Sequence, residues 1–227
     1  MIGRAALRAA EPGRFPLGAH GAGRFAMRGW YFDEPVYSGQ GGAFRQLGPT
    51  KIAVFTVVNV MGSIVDRNAR VIRCAQRAGE CGTIASRFAE RVRRLETPPG
   101  EGGPGNTTIT LVVTNQKLPL WALQRLAAQV HTSMARAIQP FATQDDGDTL
   151  FAVTTGEIDN LRLSAVDLAV VAPEVAWDAV LASVPPLPPA GPETPITVPT
   201  ADLDRYGTIS GLTINPGHWG VPATRLR

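Results

Sequence analysis

The segment KIAVFTVVNV, residues 51–60, constrains the fold more than any other part of the chain. A continuous apolar run of strand length reads as a strand buried on both faces. Such a strand needs a sizeable core, and a chain of 227 residues can build one within a single α/β domain. Two more strands are predicted, TTITLVVT at 107–114 and DTLFAVTT at 148–155. SIVDRNARVIR, 63–73, reads as two short strands about a turn at Asp66–Ala69.

Helical spacing fills the intervals. IASRFAERVRRLE, 84–96, is apolar at Ile84, Phe88, Val92 and Leu95. PLWALQRLAAQVHTSMARAIQP, 119–140, sets Leu123, Leu126, Ala127, Val130, Met134 and Ile138 along one face, and Pro140 marks its end. LSAVDLAVVAPEVAWDAVLASV, 163–184, is helical in spacing, with a kink or split expected at Pro173. Residues 1–10 read as the end of a helix, 16–50 as Gly-rich and irregular, and TPPGEGGPG, 97–105, as a flexible loop. After Val184 the chain turns proline-rich, so 1–184 is expected to form one domain and 185–227 a linker and tail.

Composition excludes several classes. The net charge of +3 is mildly basic, but the arginines are scattered. Their densest run, RFAERVRRLE, reads as a solvated helix face, so no nucleic-acid partner is expected. No apolar run reaches the roughly 20 residues a membrane span needs. MIGRAALRAA has no apolar h-region, so no signal peptide is expected. The two cysteines, Cys74 and Cys81, fit neither a zinc pattern nor a disulfide scaffold, so a reducing cytoplasm is the expected compartment. GAHGAG, 18–23, lacks the strand before it and the G-K-[ST] after it that a phosphate loop requires, so its glycines are read as close-packing positions.

Chemistry concentrates at Asn106-Thr107-Thr108, where the Gly- and Pro-rich loop meets a strand. The triplet matches a glycosylation acceptor and also simple loop-to-strand punctuation. Its position carries a sharper reading. A side chain at a strand start is fixed, and the loop before it can strain the Asn106–Thr107 peptide. The Thr107 hydroxyl can then attack the Asn106 carbonyl. An N→O acyl shift gives an ester, and water releases Thr107 with a free α-amine. That amine, ordinarily of pKa about 7.7–8.0, can act as base for the hydroxyl of the same residue.

Asp146 and Asp148, in QDDGDTLF, make an acidic turn or a carboxylate pair that orients the Thr107 hydroxyl and amine. Asn59, ending the 51–60 strand, is a turn residue or an oxyanion donor. His20, His131 and His218 are isolated, with no metal-ligand spacing. His131 is expected to pack within its helix. Trp30, Tyr31 and Phe32 suit a substrate cleft, the core or an oligomer contact.

Together GRAALRAAEPGRFP, GAG, SGQGGAFRQLG, VVNVMGSIVDRNARVIR, GNTTITLVVTN, QVHTSMARAIQPF, DGDTLFAVTTGEID and EVAWDAVL resemble the P1 peptidase family. That family comprises self-cleaving aminopeptidases, β-peptidyl aminopeptidases and D-esterases, and the nylon-oligomer (6-aminohexanoate-oligomer) endohydrolase branch is the most similar. The resemblance implies a four-layer α/β/β/α fold of N-terminal-nucleophile type, here partial because an upstream segment has no counterpart. It implies an amide hydrolase without a cofactor, cut before Thr107 into 1–106 and 107–227. The two chains are expected to stay associated, in homo-oligomers (homotetramers in that branch), and to act on 6-aminohexanoate oligomers, short peptides or β-peptides. Thr107 matches the nucleophile, Asn59 the oxyanion amide, and Asp146 and Asp148 the acidic pair. The branch's active-site lysine has no match between GAG and GQG, where Arg28 is the nearest cation and not a neutral base. A truncated, catalytically silent relative serving as an oligomerising or binding module is the alternative.

Overall fold

The computed structural model describes residues 2–12, 15–74, 81–94 and 106–185. In chain order the elements are α1 (Ile2–Arg8), β1 (Met27–Arg28), β2 (Val36–Tyr37), β3 (Gly39–Leu47), β4 (Thr50–Val58), β5 (Ser63–Ile64), α2 (Ile84–Arg94), β6 (Ile109–Gln116), α3 (Leu120–Ser133), β7 (Ile138–Gln139), β8 (Thr149–Ile158) and α4 (Ala165–Ala182). They fall into two units: Pro16–Pro185, and Met1–Phe15 with Pro186–Arg227. The second unit contributes α1 to the described residues. The expected proline-rich linker and tail, and the 97–105 loop, lie outside them.

The larger unit is built on a four-stranded sheet of order β3-β4-β6-β8. β3 and β4 form a hairpin whose two-residue loop starts at Gly48, where φ is +56°. A tight hairpin turn requires a positive φ at that first position, which glycine adopts without strain. β4 pairs antiparallel with β6, and β6 pairs parallel with β8. A parallel pair needs a crossover, and α3 supplies it.

Alternation along the strands decides where the core lies. Ile52, Val54 and Val58 of β4 and Val112 of β6 are wholly buried and pack with Leu126, Val130, Leu168, Ala172, Val175, Ala176, Ala179 and Val180 of α3 and α4. Gly41 lets β3 approach α4: a Cβ there would lie 1.9 Å from the Ala179 carbonyl oxygen. α4 starts with a capping box, Asp167 N–H donating to Ser164 Oγ at 3.2 Å and Ser164 N–H donating to Asp167 Oδ2 at 2.9 Å.

The opposite face of the sheet is open. Phe44, Ile109, Phe151 and Val153 are 62%, 53%, 57% and 43% exposed. β4 is therefore buried on one face and half-buried on the other, not on both as its apolar run implied. Among the described residues the four-stranded sheet and the layer of α3 and α4 supply two of the expected four layers, beside two small two-stranded sheets, β1-β2 and β5-β7.

Several local expectations change. Residues 39–47 are a full strand, although their glycines read as irregular. The 119–140 helix stops at Ser133, passes through a 3-10 turn at Met134–Arg136, and gives way to β7. α4 runs unbroken through Pro173. The α2 arginines are not simply solvated. Arg87, buried, pairs with Glu34 at 2.5 Å, and Arg91 pairs with Asp33 at 2.9 Å and lies over the Tyr31 ring. They dock α2 on the Trp30–Phe32 turn, where Phe32 meets Phe88 edge-on at 5.3 Å. Cys74 and Cys81 form a disulfide, which removes the support they gave to a reducing compartment. Among the described residues no helix is long and apolar enough to cross a membrane. The glycines of GAHGAG do serve close packing, since a Cβ on Gly23 would lie 2.2 Å from the Gln40 nitrogen.

Candidate active site

The register of the central strands brings the candidate residues into one row. β4 pairs with β6 up to Val57↔Ile109, and one step further Thr107 N–H donates to the Asn59 carbonyl at 2.7 Å. β6 pairs with β8 from Ile109↔Thr149, and the parallel ladder continues backward through the Asn106↔Asp146 bridge. Asn59, Thr107 and Gly147 thus lie side by side across three strand ends. By alternation they sit on the side of the open sheet face.

Thr107 is held tightly. Its hydroxyl donates to the Asn106 carbonyl oxygen at 2.6 Å. The same oxygen accepts the Gly147 N–H at 2.8 Å. Asn106 itself is buried, 5% exposed. The scissile-bond candidate is therefore a carbonyl held between a hydroxyl and an amide donor. Asn59 Oδ1 accepts the Met27 N–H at 2.9 Å, which fixes the amide and leaves Nδ2 as a donor.

The carboxylates flank this row and brace its backbone. Asp148 Oδ1 accepts the Thr108 N–H at 2.6 Å, and Oδ2 accepts the Ala142 N–H at 3.1 Å. Asp146 Oδ2 accepts from Thr143, through the hydroxyl at 3.0 Å and the N–H at 3.3 Å, and its Oδ1 reaches the Met61 N–H at 3.4 Å. Both expected aspartates are thus within one residue of the strand position beside Thr107. Among the described residues, the hydrogen bonds that these carboxylates make go to Thr108, Ala142, Thr143 and Met61, and the Thr107 hydroxyl is given to Asn106. Burial raises the Asp148 pKa above its ordinary value, with the Asp146 charge adding to the effect, against the lowering pull of the Thr108 and Ala142 N–H groups.

The remaining candidates lie apart. Arg28 is fully buried and donates to the Arg73 carbonyl. Burial and the neighbouring Arg73 bring its pKa down to about 9, so it stays cationic at neutral pH. His131 packs against Phe141, with ring centroids 5.1 Å apart. Tyr31 and Phe32 belong to the small core with Phe88. No group of side chains suited to a metal ion occurs among the described residues. Gly147 was missed as a site residue because a glycine between two aspartates reads as a turn; only the register sets it against Thr107.

The Peptidase family S58 model matches residues 3–184. The chain belongs to peptidase family S58. Membership agrees with the resemblance read from the motifs, and the S58 chain is thereby kin to hydrolases. The 6-aminohexanoate-oligomer endohydrolase of Paenarthrobacter ureafaciens is 44% identical over 197 residues, which cover 79% of this chain and 54% of that protein. The same-named protein of Kocuria sp. (strain KY2) is 43% identical over 191 residues, with the same two shares. The S58 chain spans about half the length of these curated relatives. A β-aminopeptidase of Burkholderia sp. superposes with a TM-score of 0.50 at 16% identity, covering 78% of this chain and 49% of that one. The PH0078 protein of Pyrococcus horikoshii OT3 does so with a TM-score of 0.53, also at 16% identity, covering 78% and 46%. At such identities the likeness is one of fold, and it agrees with the α/β architecture expected from the sequence.

Proposed function

We propose that this S58 chain is a self-processing amide hydrolase whose nucleophile is Thr107. The observation that carries the reading is the Thr107 hydroxyl resting on the carbonyl of its own preceding peptide at 2.6 Å. In the scission step Thr107 Oγ1 bonds to the Asn106 carbonyl carbon and the C–N bond breaks. The hydroxyl proton ends on the departing Thr107 nitrogen, leaving an ester that water hydrolyses. The new amine keeps the Asn59 carbonyl as its acceptor and activates the hydroxyl beside it. In turnover Thr107 attacks a substrate amide, Asn59 Nδ2 donates to the oxyanion, and water deacylates the enzyme. Asp146 and Asp148 act by fixing the peptides on either side of the nucleophile.

Scission at this bond leaves the pieces together. β6 begins just after the cut, yet it is laddered to β4 of the first piece. α4, from the second piece, packs on β3 and β4, and its Ala176, Ala179 and Val180 share one core with Ile52, Val54 and Val58 of β4. Residues 1–184 form the hydrolase domain in this reading, the cut divides the whole chain into 1–106 and 107–227, and the pairs assemble into homo-oligomers. The identity to the two 6-aminohexanoate-oligomer endohydrolases supports a linear ω-amino-acid oligomer as substrate, with short peptides or β-peptides next.

Intact-mass measurement of the purified chain tests the reading: two masses are expected, the second starting at Thr107. A single uncut mass under all conditions would overturn it. The open apolar face of the sheet favours one rival, a binding or oligomerising module without turnover. Scission with no hydrolysis across panels of amides and esters would favour that rival.

A further inference from the structure

We propose that Gly147 is the catalytic donor of the self-scission step, and that its missing side chain is the space the Thr107 hydroxyl occupies. This rests on the reading of Asn106–Thr107 as the scissile bond and adds a residue that reading did not use. The Gly147 N–H donates at 2.8 Å to the Asn106 carbonyl oxygen, the atom on which negative charge develops when the carbonyl carbon is attacked. A donor already in place needs no rearrangement as the charge forms, and removing one such donor typically slows an acyl transfer by about 100- to 1000-fold. As Oγ1 bonds to that carbon the carbonyl π electrons move to the oxygen facing Gly147. They return when the C–N bond breaks and the hydroxyl proton has passed to nitrogen.

Geometry also accounts for glycine at this position. A Cβ on residue 147 would stand 2.6 Å from Thr107 Oγ1, closer than real contacts allow, whereas its next neighbours, the Asn106 oxygen at 3.5 Å and Thr107 Cβ at 3.6 Å, would be in ordinary contact. Gly147 is not one of the glycines with positive φ. The backbone therefore accepts an alanine, and the one obstacle is the nucleophile's oxygen. Glycine here is required by the reaction geometry and not by a turn. Asp146 and Asp148, one residue to each side, pin the loop that carries it.

The test uses the full chain as wild type, Gly147→Ala, Thr107→Ala, and the double variant. Self-scission is followed by intact mass over time, with hydroxylamine added to cleave the ester intermediate. Wild type is expected to be cut, and Gly147→Ala, which keeps its N–H but drives its Cβ into the Thr107 hydroxyl, to be cut more slowly and without a hydroxylamine-labile ester. The full chain with glycolate at position 147, an ester in place of the amide, lacks the N–H and should be cut about 100- to 1000-fold more slowly. The double variant should melt with Thr107→Ala, because the clash leaves with the hydroxyl. Scission at the wild-type rate by the glycolate chain overturns the donor role, and scission at that rate by Gly147→Ala overturns the claim on the space. So does a double variant clearly less stable than Thr107→Ala, since that would make Gly147 a merely structural glycine. An uncut wild type would overturn the parent reading itself, and this one with it.

Discussion

The two faces of the β3-β4-β6-β8 sheet come from the same strands and have opposite fates. On one, Ile52, Val54, Val58 and Val112 are sealed under α3 and α4. On the other, Phe44, Ile109, Phe151 and Val153 stand in solvent, and the row Asn59–Thr107–Gly147 ends that face. The contrast separates what holds the described residues together from what they present. Stability resides in the covered face. The proposed chemistry sits at the rim of the bare one.

Four experiments break or sharpen this contrast, from the largest expected effect to the smallest. Thr107→Ala should abolish scission altogether while the chain stays folded, read by intact mass and circular dichroism; residual cutting at Asn106 would remove the nucleophile from the bare rim. Ile52→Ala, on the sealed face, should cost about 2–5 kcal/mol in urea unfolding, because nothing can relax into the cavity. Asp148 links the faces through pH. Its folded pKa is raised, so its contribution to stability is full below the ordinary carboxylate value of about 3.9 and is lost as pH rises through the folded value. Asp148→Asn should flatten the stability profile in that window, measured by urea unfolding at a series of pH values. Phe151→Ser, on the bare face, should change stability by no more than about 0.5 kcal/mol. Sedimentation should then show weaker self-association, since exposed apolar patches favour it. A large stability loss from Phe151→Ser would mean that the face is covered in solution.

Legibility followed the same division. β4, β6 and β8 were readable because β-branched runs carry their own signal, and α2 and α4 because their apolar spacing does. β3 was not: GQGGAFRQL offers glycines and glutamines, and its strand state comes from the hairpin with β4 and the close approach of α4 at Gly41. The end of α3 was misplaced because Met134 and Ile138 fit a helical stripe equally well after the helix has stopped; tertiary pairing of β5 with β7 decides it. Pro173 reads as a break, yet helical geometry continues around it in a buried setting. At the site, it was the family resemblance that grouped Thr107, Asn59 and the two aspartates, and the strand ends place them near one another. The hydrogen bonds the aspartates make could not be inferred, nor could the value of the glycine between them, because lateral register is a property of three strands at once. The disulfide was missed for a related reason, since spacing alone does not say that Cys74 and Cys81 come within 5.4 Å at Cα.

β6 and β8 run parallel, so no tight turn locks one to the other, and the threonine meets its lateral partners only through a long excursion across α3 and β7. The length of that excursion is consequently constrained by geometry at its far end. An insertion or deletion absorbed before Thr143 should leave the Asn59–Thr107–Gly147 row intact, whereas one residue threaded past it would present a carboxylate where the hydroxyl needs empty space. Homologous lineages should accordingly vary in the α3 connections and keep the few residues leading into β8 at constant spacing.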